Sequence, residues 1–354
     1  MRWAALAGEA LRNVTSGTAL TLPLALVIGV LSAAIVAICG VDVAAIATRG
    51  QQYRDSGGHV LVVRAEGAID ASACAALASV GGVRSGALRR APHDVVAAAL
   101  PDSSVPTYEV TDGLAGMLAP LSPGGVGVLL SAPAAQTLGG GATLATTDGD
   151  IQVGGVYGYP ADGRRTDLEF AVLAPTTSSA PFDECWAETW PPSTQLDALL
   201  RTTVVQGAGS NVDATLLQLN GTRGSSFDGE ALFDARPTRY LPVAAALAGL
   251  LVVFAAARLR RIELASARHC GVTLVDQWLV LMIEGVGWML GLAVLSVPVT
   301  AALVTRALPG DASAYLEPGI HTPLLAALGG LTGSTIAVLL SGERHLFRHV
   351  KQRR

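Results

Sequence analysis

Lysine is nearly missing from this 354-residue chain: 23 of its 24 basic residues are arginine, and Lys351 is the exception. A G-x-x-x-x-G-K-[ST] phosphate loop therefore cannot occur in it, and any ATP the protein depends on is bound by another subunit. Charge is scarce as well. Asp, Glu, Lys and Arg make up 15% of the residues and aromatics 5%, against 51% hydrophobic residues and a mean hydropathy of +0.46. That balance excludes disorder for most of the chain and an ordinary soluble domain for the whole of it. The net charge of -4 is too small to point to nucleic acid as a partner. Also missing are H-E-x-x-H, G-x-S-x-G and C-x-x-C, so the sequence carries no recognisable catalytic motif. The six histidines are scattered. His345 and His349, four apart, sit among Arg344, Arg348, Lys351, Arg353 and Arg354 and read as a basic membrane-surface face, so no metal site is expected.

What the sequence does have is apolar runs of membrane-crossing length. No charged residue lies between Arg12 and Asp42, and 19–41 is nearly all apolar. At ~1.5 Å per residue that is enough to cross a hydrocarbon layer of ~30 Å. Three further charge-poor runs follow: 240–257, then 277–305 with only Glu284 inside it, then 318–342. The first run reads as a retained helix, because its apolar core is too long for a signal peptide and Ile38 before Cys39 is a poor lipobox residue. Basic residues in short connecting segments stay on the cytoplasmic side. Segments 1–18, 258–276 and 342–354 together hold 11 basic and 4 acidic residues, whereas 49–239 holds 12 basic and 20 acidic ones. A multi-pass protein of the bacterial cell membrane is expected, with both termini cytoplasmic and the large segment outside. Its parts are a cytoplasmic amphipathic helix (1–18), transmembrane helix one (19–46), an extracytoplasmic domain (47–238), transmembrane helix two (239–257), and a cytoplasmic connecting helix (258–276). Transmembrane helix three (277–305), a short external loop (306–319), transmembrane helix four (320–342) and a basic cytoplasmic tail (343–354) complete it.

The segment 47–238 is large enough for a core of its own. A strand over 59–66, a capped helix over 70–80 and a strand over 83–90 make a βαβ-like opening. A strand at 127–131 leads into a short helix at 132–138, and strands at 151–157 and 170–173 follow between Gly, Asp and Pro turns. The fold class is therefore four transmembrane helices plus a mixed α/β domain. Segments 176–192 and 207–234, rich in Thr, Ser, Pro, Gly and Asn, read as linkers or loops of a smaller subdomain. Cys74 and Cys185 lie in the outer domain, where an oxidising compartment lets them pair, so a disulfide between them is expected; the alternative for Cys74 is a small buried apolar residue. Asn220-Gly-Thr222 fits a glycosylation sequon that also arises often by chance.

Between the second and third runs stands Arg258-Leu-Arg-Arg-Ile-Glu-Leu-Ala-Ser-Ala-Arg-His-Cys-Gly271, a short basic amphipathic helix ending at glycine. A positive-inside anchor explains its arginines but not Glu263 among them. The pattern R-R-x-E-x-x-x-x-R-x-x-G, followed by a membrane helix with its own acid, resembles the FtsX/MacB-like family of ABC transporter permeases (type VII, mechanotransmission). The order of parts agrees: residues 4–13 resemble the family's lead-in helix, one span precedes a large outer domain and three follow it. Residues 127–138 followed by 148–158 look like the MacB-type periplasmic core. The resemblance implies that Arg260, Arg261, Glu263, Arg268 and Gly271 couple the chain to an ATPase. It also implies the partners: two copies of an ABC ATPase subunit that bind ATP and Mg, a second permease protomer, identical or not, and an extracellular protein or peptide. This chain itself would bind no cofactor and would not be an enzyme.

Glu284, an acid inside a span, must face protein, water or a partner. Pairing with an arginine of the 258–276 segment is expected ahead of an ion pathway. Gly287 and Gly291, and Gly329 and Gly333, form G-x-x-x-G faces on which helices pack closely, which favours a dimer of permeases; the alternative is packing between the third and fourth helices of one chain. The leading functional expectation is a permease subunit that passes ATP-driven motion to its outer domain, for export or extraction of a peptide, antibiotic or lipid-linked substrate or for control of a cell-wall enzyme. The alternative is a membrane-anchored sensor or binding module without ATP coupling. A hydrolase built on the outer acids ranks last, since no carboxylate pair is tied to a nucleophile or metal set.

Overall fold

The computed structural model describes residues 3–119, 127–193, 195–205, 213–308 and 310–341. The expected tail 343–354, with His345 and His349, lies outside them. The chain divides into two compact units, one formed by Met1–Thr48 with Gly229–Arg354 and the other by Arg49–Asp228.

The first unit is helical. Among the described residues, four helices are long and apolar enough to cross a membrane: Thr21–Asp55, Pro237–Leu259, Leu274–Val304 and Ala312–Leu339. A lead-in helix, Trp3–Thr15, precedes them, and a short helix, Arg261–His269, joins the second to the third. The first long helix runs past the expected end at 46 because nothing in its polar last turns breaks the ladder before Gly57, which takes φ +80. The fourth begins earlier than expected, at Ala312, and takes in much of the segment 306–319 read as a loop; Pro318 and Pro323 lie inside it. Leu22, Leu26 and Val30 of the first helix and Leu247 and Leu251 of the second stay exposed beside a core of Leu24, Ile28, Val253, Trp288 and Leu292. Helices apolar all round need an apolar surrounding.

Glycine sets how closely these helices approach. A Cβ at Gly329 or Gly333 would strike the backbone carbonyls of Ala246 and Leu250 in the second helix, and one at Gly249 would strike that of Ala326 in the fourth. Gly287 and Gly291 lie against Thr21 and Ala25 of the first helix. Within the chain both small faces are thus occupied by the first and second helices, not by packing of the third and fourth helices on each other through these glycines.

The second unit is a mixed α/β domain. Its strands are β1 (Val60–Ile69), β2 (Val83–Arg90), β3 (Val95–Val96), β4 (Ser104–Val105), β5 (Thr107–Val110), β6 (Val128–Ser131), β7 (Thr143–Thr146), β8 (Gly149–Tyr157), β9 (Val172–Pro175), β10 (Phe182–Thr189) and β11 (Thr215–Gln218). Among the described residues, nine of them form one sheet in the order β11-β1-β10-β2-β5-β9-β6-β8-β7, and β3 and β4 pair separately. The expected strand, helix and strand over 59–90 are present, with Asp70 capping the helix Ala71–Ala76 through the Ser72 and Ala73 amides. β1 and β2 are not neighbours, however: β10 lies between them, antiparallel to each, which makes a split βαβ unit.

β10 overturns the reading of 176–192 as a linker, and β11 does the same for part of 207–234. β10 was hidden because both its faces are buried: Cys185 and Ala187 join one core, Trp186 the other, and Glu184 is covered with them. Period-two alternation disappears in such a strand. Cys74 and Cys185 form the expected disulfide, with Cα atoms 5.8 Å apart and both residues fully buried.

Candidate functional site

The chain breaks at Arg260 (φ -88, ψ 10) between the second long helix and the short helix Arg261–His269. A Schellman arrangement closes the short helix. The Gly271 N–H donates to Arg268 O (2.9 Å) and the Val272 N–H to Ala267 O (3.1 Å), with Gly271 at φ +91, where a side chain would be strained. Thr273 then caps the third long helix, its hydroxyl accepting from the Asp276 N–H at 3.2 Å.

Side chains fasten this connection on its inner face. Gln277 Nε2 donates to Leu264 O at 2.6 Å and Arg268 Nη1 to Ser341 O at 2.6 Å, while Leu264 and Ala265 are buried. Arg260 turns inward. Its Nη1 donates to Glu284 Oε2 at 2.6 Å and its Nη2 to Oε1 at 3.3 Å, and its Nε reaches Glu263 at 3.2 Å. Asn13 Nδ2, from the lead-in helix, donates to Glu284 Oε1 at 2.6 Å. The Glu284 and Arg260 side chains are 5% and 11% exposed, beside Leu24, Val253, Ala257, Leu281 and Trp288. A carboxylate withdrawn from water to this degree stays charged only when paired, and removing one partner of such a pair costs about 3–5 kcal/mol. Glu284 therefore has the arginine partner expected of it.

The five residues read as a docking set divide into different roles. Arg260 is committed to Glu284, Arg268 is half-buried on Ser341 O, and Gly271 forms the turn. Arg261 and Glu263 are exposed, the Glu263 side chain at 60%. Glu263, Ser266 and Cys270, spaced three and four apart, form an exposed stripe on the outer face, and Leu259, exposed at the end of the second long helix, precedes it. Asn13, Gln277 and Ser341 were missed by sequence reasoning. For Asn13 a signal existed: it shares the helical face of Leu6 and Ala10, both buried.

The α/β unit buries its own charges. Glu184, 1% exposed on β10, accepts from Arg64 Nε (2.9 Å), Arg165 Nη1 (2.7 Å to each oxygen) and Trp186 Nε1 (2.9 Å). Arg165 also pairs with Asp167; burial pushes that carboxyl up, but the Arg165 hydrogen bond and charge outweigh it and hold it below the usual range. Glu188 is likewise raised by burial and more than offset by His59 and Arg84. Asn220, the sequon residue, is 1% exposed and its amide donates to Ser56 O (3.1 Å) and to Asp162 O and Oδ1 (3.2 Å each). It is a structural tie rather than an accessible acceptor. Among the described residues, no three His, Cys, Asp or Glu side chains converge as a metal site.

No protein-family model matches this chain. No curated protein matches it either. Among solved structures it is similar to the periplasmic region of MacB from Actinobacillus actinomycetemcomitans, at 11% identity and a TM-score of 0.35, over 47% of this chain and 91% of that one. A likeness of that size decides neither fold nor function.

Proposed function

We propose that this chain is the membrane subunit of an ABC transporter, in which a partner ATPase docks on the helix Arg261–His269 and its ATP-driven motion reaches the α/β domain. One observation carries the reading: the connection between the second and third long helices is a discrete helix, fastened on one face through Arg260, Gln277 and Arg268 and open on the other along Glu263, Ser266 and Cys270. A plain positive-inside loop needs no such fastening. The motif resemblance supplies the partner class, and the bias of basic residues toward the short segments supplies the orientation, with both termini and the short helix cytoplasmic. In this reading the chain is not itself a catalyst. ATP and Mg are held by two ATPase subunits, a second permease subunit completes the assembly, and the work is done on an extracellular protein, peptide or lipid-linked substrate.

Gentle detergent purification of the tagged chain from its own cells tests this. A P-loop ATPase should copurify with the wild type and be lost with Glu263→Lys, with circular dichroism checking that the variant folds, because Glu263 also pairs with Arg260. A chain that comes out without an ATPase, and a variant that changes nothing, would replace the transporter reading by that of a membrane-anchored binding module.

A further inference from the structure

The bonds around Glu284 join three elements rather than two. Each carboxylate oxygen has its own close donor, Arg260 Nη1 on Oε2 and Asn13 Nδ2 on Oε1, both at 2.6 Å. The donors come from different elements: Arg260 from the root of the short helix, Asn13 from near the end of the lead-in helix Trp3–Thr15. We propose that Glu284 is a three-way positioning residue through which the lead-in helix holds the short helix Arg261–His269 in place and follows it when it moves. The functional consequence rests on the reading of that helix as a docking segment; the linkage itself does not.

The third long helix, with 31 residues, is the stiff member, and the two helices hung on it have 13 and 9. A nine-residue helix is not stable alone in water, so its order comes from tertiary bonds. Buried Glu284 cannot be left with one neutral amide donor if Arg260 swings away, because a carboxylate in apolar surroundings needs its charged partner. The acid side chain must then turn, and Asn13 loses its acceptor. Asn13 has a further tie: its carbonyl accepts from the Ala19 N–H at 3.0 Å and from the Thr18 hydroxyl at 3.2 Å, closing the turn that leads into the first long helix at Thr21. A shift of the short helix is therefore passed through Glu284 and Asn13 to the start of the first long helix. Such a route is a claim about coupling and needs a coupling measurement.

Hydrogen–deuterium exchange on the full chain in lipid nanodiscs, with no ATPase present, provides it. Asn13→Ala should speed exchange across the short helix about tenfold, the effect of losing one charge-assisted hydrogen bond, although Asn13 lies on a different helix. Arg260→Lys should do the same in the lead-in helix, and the double variant should show less than the sum of the two effects. Changes confined to each variant's own helix, or a fully additive double variant, would overturn the proposal. Glu284→Gln should loosen both helices at once, and the Arg260→Glu, Glu284→Arg swap should restore the short helix. If the Glu284 variants do not fold, the Asn13 and Arg260 pair decides alone. Because the sample holds no partner, a negative result here leaves the transporter reading standing, and failure of an ATPase to copurify leaves this linkage standing.

Discussion

The helical unit and the α/β unit bury polar groups in different ways. In the helical unit the described ion pairs between helices each take an arginine from a helix end: Arg260 on Glu284, and Arg236 on Glu317 beside the Asp42–Thr238 hydrogen bond. Between them, specificity comes from glycine, which lets carbonyls of one helix touch the next. The α/β unit does the reverse. Its interior strand β10 carries a buried carboxylate with three donors, a disulfide sulfur and the largest buried side chain, Trp186, within three consecutive residues. Where backbone hydrogen bonds are satisfied inside each helix, shape alone must choose the neighbour. Where the sheet already fixes the neighbours, polar and covalent cross-links lock the layers above and below it.

That contrast can be broken from either side. The largest effect is expected for removal of the disulfide: Cys74→Ala with Cys185→Ala opens a loop spanning 111 residues, which the chain-entropy model values at about 4–5 kcal/mol. Limited proteolysis of the full chain should show cleavage appearing within Arg49–Asp228 and sparing the helices. Gly329→Ala comes next, because its new methyl group meets the Ala246 carbonyl rather than a side chain able to move, at about 3 kcal/mol for overpacking of this kind. Detergent thermal unfolding should register it, with Gly8→Ala, which has open space around it inside the lead-in helix, as a control that does not destabilise. The smallest effect is acid sensitivity. Asp167 and Glu188 have folded-state values below their unfolded ones, so their contribution is complete above the ordinary carboxylate range and fades as pH falls below about 4. Circular dichroism between neutral and acid pH should show the sheet yielding first; a sheet as acid-resistant as the helices would remove these pairs from the account.

Legibility followed the same division. The four long helices were readable because apolar length is a local property, and the strands β1, β2 and β6 because each has alternation or a turn at its border. β10 was not readable. Its Asp183, Glu184, Glu188 and Thr189 give it the composition of a loop, and only the arginines brought up from β1 and from 164–167 make Glu184 tolerable in the core. At the candidate site the motif exposed Glu263 and Glu284, but it placed Arg260 on a docking surface from which its partner withdraws it.

Sequence alone determined what the chain needs from its surroundings: long helices without charge require an apolar medium, two cysteines in the large segment can pair, and an acid inside a helix needs a base. Tertiary structure decided which atoms meet. The G-x-x-x-G faces could equally have served a second copy, and only the folded chain seats them on its own first and second helices. Glu284 could have met any arginine near it, and the break at Arg260 selects that one, while the lead-in helix brings Asn13 from 271 residues away in the sequence. Periodicity and composition act over neighbouring residues, whereas these partners are joined by long chain excursions whose outcome is set by packing.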